Sequence, residues 1–227
     1  MKQSRKHIVL LVVGLSVGLL FMGALRYSSS HPNILTPLSK YPTLGYIIFS
    51  VIFTILLFRA GLPHNRFGFG TRPDFKQLLL AIIAIVLLRL FAFGIEPILE
   101  ELLGSSRNLE RFSDVEGSIS SLIGLLMMNW TVAAFGEEFI YRIVLMRGIS
   151  FIFNDTRQAH IAAVVIQAVM FGLIHAYQGS AGIVGSTFSG LVFGAVTIAS
   201  RWSIWPSAVA HGTNNTIGII SLYMGNT

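Results

Sequence analysis

Apolar runs long enough to cross a lipid bilayer recur along almost the whole chain, and this feature constrains the fold most. A bilayer-spanning helix needs about 20 mostly apolar residues. The runs do not alternate apolar and polar residues, as the strands of a membrane β-barrel do. The sequence therefore predicts an all-α polytopic membrane protein, a bundle of seven or eight transmembrane helices around an intramembrane polar cavity.

Composition supports this class and excludes others. Charged residues make up 11% of the chain and hydrophobic residues 53%, whereas soluble domains carry about 25% charged residues. The absence of cysteine excludes disulfides, thiolate metal sites and a cysteine nucleophile. The net charge of +6 comes from basic residues scattered singly between the runs. We therefore expect contact with membrane lipid and no nucleic-acid partner.

The runs predict spans near 8–25, 43–60, 77–95, 117–135, 159–176, 182–200 and 204–222. The segment 137–153 stays open: it extends the fourth span, lies as a short interfacial helix, or makes an eighth span. Turn-forming residues predict loops around 26–42 and 61–76. Most acidic residues lie in 96–116, which we expect to be a solvated loop with room for an interfacial helix.

Basic residues flank the early spans and predict the orientation. They precede the first span and follow the second: Lys2, Arg5, Lys6, Arg66, Arg72 and Lys76. The positive-inside rule predicts a cytoplasmic N-terminus, although Arg26 and Lys40 weaken the bias.

Two carboxylates, Glu137 and Glu138, remain attached to apolar sequence. An ionisable group at membrane depth costs roughly 2.5–3.5 kcal/mol on insertion scales, so it is normally paired or functional. Glu138 and Arg142 have the spacing of a helical ion pair. Glu137 points about 100° away around the helix and lacks a cation nearby in the sequence, which suits a general base. Alternatively, both acids lie at the headgroups beside Arg142 and Arg147.

Two further polar groups interrupt apolar spans. His175 closes the run AAVVIQAVMFGLIHA, and His211 and Asn215 lie four residues apart within IWPSAVAHGTNNTIGII. Residues with this spacing share one helical face. Their unsatisfied donors and acceptors would be costly in hydrocarbon, so either hydrogen bonds between helices or a functional site must satisfy them.

Together these residues can hydrolyse a peptide bond. In one version Glu137 and His175 activate water, while His211 and Asn215 donate to the developing oxyanion. In the other, Glu137, His175 and His211 bind zinc and leave a position for water. Both versions stay open, and Arg89 in the third span is a further candidate partner for the cluster.

The sixth span carries small residues at every fourth position. They are Gly182, Ser186, Gly190 and Gly194, which align on one helical face. Such a row allows close approach between helices in a membrane, so we interpret it as a packing surface.

The stretches EEFIYR (137–142), FGLIH (171–175) and HGTNN (211–215) match, in order, the EExxxR, FxxxH and HxxxN motifs of a known family. The chain thereby resembles the CAAX protease and bacteriocin-processing family, also called CPBP or Abi, which includes the Ras-converting enzyme. The resemblance covers 117–222, a CPBP-like catalytic core. The spans and acidic loop of 1–116 resemble nothing in particular, and we expect a single membrane domain over 1–227.

The resemblance implies an intramembrane glutamate-dependent endopeptidase, often grouped with metalloproteases, with zinc as the cofactor left open. Its site would lie within the bilayer and open to one aqueous side. Carried over by position, the catalytic set is Glu137, Glu138, Arg142, His175, His211 and Asn215, with Phe171 binding substrate. A chain this short resembles prokaryotic members, so we expect the plasma membrane as location. We also expect a peptide precursor or small membrane protein as substrate.

Three other functions compete with this interpretation. A rhomboid-like serine protease would use Ser189 and His211, but its GxSG pattern fails because Thr187 stands where glycine is needed. A non-proteolytic scaffold or bacteriocin-immunity protein would need no chemistry. A transporter could use the same ionisable groups as a proton relay, but no inverted repeat supports it.

Overall fold

The structure, a computed structural model, describes residues 2–31, 33–35, 41–62, 68 and 73–225. Within these ranges the chain is helical and contains no strand, which confirms the all-α prediction. The long helices are α1 (Lys2–Ser30), α2 (Pro42–Arg59), α3 (Phe75–Leu103), α4 (Ile119–Ile152), α5 (Arg157–Leu173), α6 (Gly179–Ala199) and α7 (Trp205–Tyr223). Short 3-10 turns lie at Glu110–Val115 and Ala176–Gln178.

Five helices are long and apolar enough to cross a membrane: Arg5–Ser29, Pro42–Arg59, Phe75–Leu103, Ile119–Ile152 and Ala176–Ala199. Helix α5 is apolar but has 17 residues, and the polar stretch HGTNN makes α7 less apolar than its neighbours. Large apolar side chains face outward from several helices; Leu10 is 68% exposed and Val51 53%. Such extensive exposure is typical of a surface that contacts lipid.

Helix α4 explains the ambiguous segment 137–153. It runs through 34 residues without a break, so the segment extends the fourth span, and the interfacial-helix and eighth-span alternatives are wrong. The helix contains π-helical turns at Asn129–Glu137 and Phe139–Leu145. Such turns often occur at functional sites, because an extra residue per turn changes where side chains point.

Two predicted loops begin later than the sequence suggested. Helix α1 continues to Ser30 because its polar side chains bond to its own backbone: Ser28 Oγ donates to the Ala24 carbonyl at 2.9 Å. The first part of the acidic segment is helical and belongs to α3, which ends at Gly104 in a left-handed conformation (φ +62°). Arg66, Arg72 and Lys40 lie outside the described residues, and the cytoplasmic N-terminus stays a prediction.

Close glycine contacts bring the helices of the site together. A Cβ on Gly23 of α1 would lie 2.8 Å from the Cα of Ile174, just beyond α5. On α6, a Cβ on Gly190 would lie 2.8 Å from the Cα of Ala168, and one on Gly194 would lie 3.1 Å from Val164. The row of small residues on α6 therefore packs against α5, as predicted for Gly190 and Gly194.

We predict that Gly190→Ala lowers the melting temperature of the purified protein, because the new methyl group meets backbone that cannot yield easily. Overpacking of this kind costs about 1–3 kcal/mol. Gly124→Ala is the matched control, since no atom lies within 4 Å of a Cβ there. Equal melting temperatures for the two variants would contradict the packing account.

Candidate active site

One cavity of about 280 Å³ lies among the helices and brings most of the predicted site residues together. Its wall contains Phe171, Glu137, His175, His211 and Asn215. Glu137 comes from α4, Phe171 from α5, and His211 and Asn215 from α7, while His175 follows the end of α5. Glu138 and Arg142 lie behind the wall and are completely buried.

Glu137 has a cation partner that its sequence neighbourhood does not reveal. Arg26 Nη1 of α1 lies 3.4 Å from Glu137 Oε1, and both side chains are buried. The guanidinium also lies over the Tyr46 ring, 4.8 Å from its centroid. The lack of a cation nearby in the sequence therefore does not leave Glu137 without a partner. The partner comes from a distant helix that packs beside α4, and it orients the carboxylate toward the cavity.

Glu138 connects the predicted ion pair to an imidazole. Its Oε1 accepts hydrogen bonds from Arg142 Nη2 and from His211 Nδ1, each at 3.0 Å. Arg142 Nη1 also donates to Gln167 Oε1, and Gln167 Nε2 donates to the Gly190 carbonyl at 2.8 Å. This chain of bonds, which we call the buried polar network (Gln167, Arg142, Glu138 and His211), fixes the ring of His211.

The two acids are enclosed by protein rather than exposed at its surface. Glu137 is 4% exposed and Glu138 is 0% exposed. Arg147, the other cation in the headgroup alternative, pairs instead with Asp155 at 3.2 Å. Both acids therefore need partners inside the protein, and both have them.

The hydrogen bonds of the two imidazoles assign their tautomers. His175 Nδ1 lies 2.7 Å from the Phe171 carbonyl, and because a carbonyl can only accept, the proton is on Nδ1. Likewise His211 Nδ1 donates to the Glu138 carboxylate. When such a ring is neutral, its Nε2 is left as an acceptor. The Nδ1 atoms of both histidines are therefore engaged with protein acceptors, which leaves Nε2 of each ring for the chemistry of the cavity.

Phe171 acts mainly through the residues it touches. It is 2% exposed, and its ring contacts those of His175 and His211 at centroid distances of 4.7 and 6.0 Å. The Arg142 guanidinium lies 4.8 Å above the same ring. Phe171 thus positions both imidazoles, while its predicted role in substrate binding stays a prediction.

Asparagine side chains join α4 to α7. Asn129 Nδ2 donates to the Gly212 carbonyl at 2.9 Å and to Thr216 Oγ1 at 3.2 Å. Asn214 and Asn215 both line the cavity, and Asn214 Oδ1 is buried without a hydrogen-bond partner among the described residues. Hydrogen bonds between α4 and α7 are thus formed by Asn129 and, as expected from the sequence, by His211 through its bond to Glu138.

Two other expectations concern Arg89 and zinc. Arg89 lines the cavity but forms no ion pair with the cluster in the described part of the chain.

Among the described residues, no three His, Asp or Glu side chains are grouped so that they could hold a metal ion. The proposed zinc ligands Glu137, His175 and His211 therefore do not fit a metal site in this arrangement, and we derive no step through one.

The serine-protease alternative lacks its catalytic pair. Ser189 lines the cavity, but its Oγ donates to the Gly185 carbonyl of its own helix at 3.0 Å. His211 Nδ1 is bonded to Glu138 instead. The geometry therefore does not join the hydroxyl to the imidazole that would activate it.

Sequence reasoning missed Arg26, Asn129 and Gln167 as members of the site. Each is a polar side chain within an apolar helix, a signal that could have marked them as buried and partnered. Their partners lie far away along the chain, so the sequence gives no indication of which group each one contacts.

Residues 119–217 match the family model described as type II CAAX prenyl endopeptidase Rce1-like. This segment contains all of EEFIYR, FGLIH and HGTNN and makes up somewhat less than half of the chain. No curated protein and no solved structure matches the chain. The apolar helices support an integral membrane protein, and residues 119–217 are similar to this endopeptidase family.

We predict that Arg142→Met strongly destabilises the protein, because it leaves the Glu138 carboxylate buried without its cation partner. Breaking a buried pair in this way costs about 3–5 kcal/mol. Arg147→Met removes a partly exposed pair and should cost less than about 1 kcal/mol. Thermal unfolding in detergent measures the stability of both variants. Similar losses of stability in the two variants would contradict the assigned burial of the Glu138–Arg142 pair.

Proposed function

We propose that the protein is an intramembrane endopeptidase, because residues 119–217 match the Rce1-like family model. It would hydrolyse a peptide bond of a membrane-associated peptide or small membrane protein. The observation that carries this proposal is that Glu137, His175, His211 and Asn215 line one cavity. Its volume of about 280 Å³ is large enough to hold water, since one water molecule needs about 10–15 Å³ on this measure.

Activation of water is assigned to Glu137 and His175. Glu137 accepts a proton from water as the water oxygen attacks the carbonyl carbon of the scissile bond. His175 Nε2, left free by the bond from Nδ1 to the Phe171 carbonyl, accepts the second water hydrogen bond and aligns the attack. When the carbon–nitrogen bond breaks, the proton held by Glu137 passes to the leaving amine.

Stabilisation of the oxyanion is assigned to Asn215 and His211. The Asn215 amide donates to the oxygen as negative charge develops on it. His211 can donate from Nε2 only when both ring nitrogens carry protons, because its Nδ1 proton is already directed at Glu138. The Glu138 carboxylate stabilises that imidazolium, which gives the second motif glutamate a positioning role rather than a direct one.

Arg26 keeps Glu137 in place in this mechanism. The guanidinium lies 3.4 Å from the carboxylate and offsets its charge where water is scarce. Since a general base must lie within hydrogen-bond reach of the proton that it takes, the orientation set by Arg26 matters to the rate.

We predict that Glu137→Gln and His175→Ala lower cleavage by about 10²–10⁴-fold, the range for loss of a general base. Ser189→Ala should leave the rate nearly unchanged, because the hydroxyl bonds only to its own helix. The assay uses protein in liposomes and a membrane peptide precursor that accumulates in a deletion strain.

Two results would contradict the proposal. Loss of cleavage in Ser189→Ala alone would favour the serine-protease alternative. If a Glu137→Gln variant complements the deletion strain as well as wild type does, the result would favour a scaffold or immunity protein.

A further inference from the structure

We propose that Arg89, Arg107 and Arg111 form a subsite that binds a carboxylate of the substrate peptide; this inference rests on the proposed function and extends it. The three guanidinium groups line the same cavity as Glu137 and His175. Among the described residues of the cavity wall, Glu137 is the only acid. The wall therefore carries more basic than acidic side chains.

The charges in and around the cavity are not balanced by the protein itself. Arg26 pairs with Glu137, and Arg107 Nε lies 2.8 Å from Glu96 Oε1. Arg89 and Arg111 have no acidic partner within 4.0 Å among the described residues. Arg89 Nε is buried without a hydrogen bond in the same part of the chain. Arg89 is partly buried, whereas Arg111 is exposed. Since an uncompensated charge at membrane depth is costly, an anionic ligand would offset the charge of Arg89 above all.

Packing holds these guanidinium groups at the cavity. Arg107 lies against α6, where a Cβ on Gly185 would be only 2.1 Å from Nη2, so glycine makes room for it. Arg111 lies over the Tyr177 ring at 4.7 Å, and that ring is 5.9 Å from the ring of His175. The anion subsite and the proposed catalytic histidine are therefore separated by one aromatic side chain.

A carboxylate is the ligand that this set fits best. The planar guanidinium donates two parallel hydrogen bonds to a carboxylate, which gives orientation as well as charge compensation. The carboxylate belongs to an Asp or Glu side chain of the substrate or to its C-terminus. A lipid phosphate offers similar chemistry, but the peptide is favoured because the same cavity contains the residues proposed to cleave it.

The test uses a short degenerate peptide library in three forms: with a free C-terminus, with an amidated C-terminus, and amidated with Asp and Glu replaced by Asn and Gln. Wild type, Arg89→Gln, Arg111→Gln and the control Arg59→Gln are reconstituted in zwitterionic liposomes and in liposomes containing phosphatidylglycerol. Arg59 is exposed at the end of α2 and lies outside the cavity. Cleavage is followed by mass spectrometry, and peptide binding by the rise in melting temperature.

We expect wild type and Arg59→Gln to cleave the form without carboxylates about tenfold less efficiently, mainly through KM, as for loss of a charge-assisted hydrogen bond. Arg89→Gln and Arg111→Gln should remove this preference. The first two library forms show whether the carboxylate is terminal or internal. The inference is overturned if wild type cleaves and binds all three forms of the library equally well. It is also overturned if Arg89→Gln and Arg111→Gln change cleavage only according to the charge of the lipid. If nothing is cleaved but carboxylate-selective binding still requires Arg89, the proposed function fails and the subsite stands.

Discussion

A buried carboxylate must be given hydrogen-bonding partners inside the protein, because hydrocarbon offers none, and the structure of the site depends on how Glu138 meets this requirement. Arg142 and His211 both donate to it, and Gln167 holds Arg142 from the other side. Three helices, α4, α5 and α7, are thereby fixed at one point. The same hydrogen bond that His211 donates to the buried Glu138 carboxylate also fixes the orientation of the His211 ring.

The site is completed from outside the segment that matches the Rce1-like family. Arg26 belongs to α1, and the arginines of the proposed carboxylate subsite belong to α3 and the segment after it. Helix α1 approaches closely enough because Gly23 has no side chain to meet Ile174. The matched segment thus supplies the proposed reacting groups, while the N-terminal part of the chain supplies much of the positive charge around them.

Much of the bundle could be predicted because hydropathy and helical spacing are local signals. The Glu138–Arg142 pair follows from a separation of four residues, and the shared face of His211 and Asn215 follows similarly. The Arg26–Glu137 pair could not be predicted, since 111 residues separate the partners and helix packing decides which ones meet. The π-helical turns of α4 also left no sequence signal.

The central claim is that the proposed catalytic residues share a cavity that water reaches from one side of the membrane. Because the chain contains no cysteine, His175→Cys and Asn215→Cys can each be labelled with a membrane-impermeant, negatively charged thiol reagent. Val86→Cys, at an outward-facing position of α3, is the lipid-facing control. The account predicts fast labelling of both cavity positions and slow labelling of the control. Labelling of both cavity positions as slow as that of the control would contradict it.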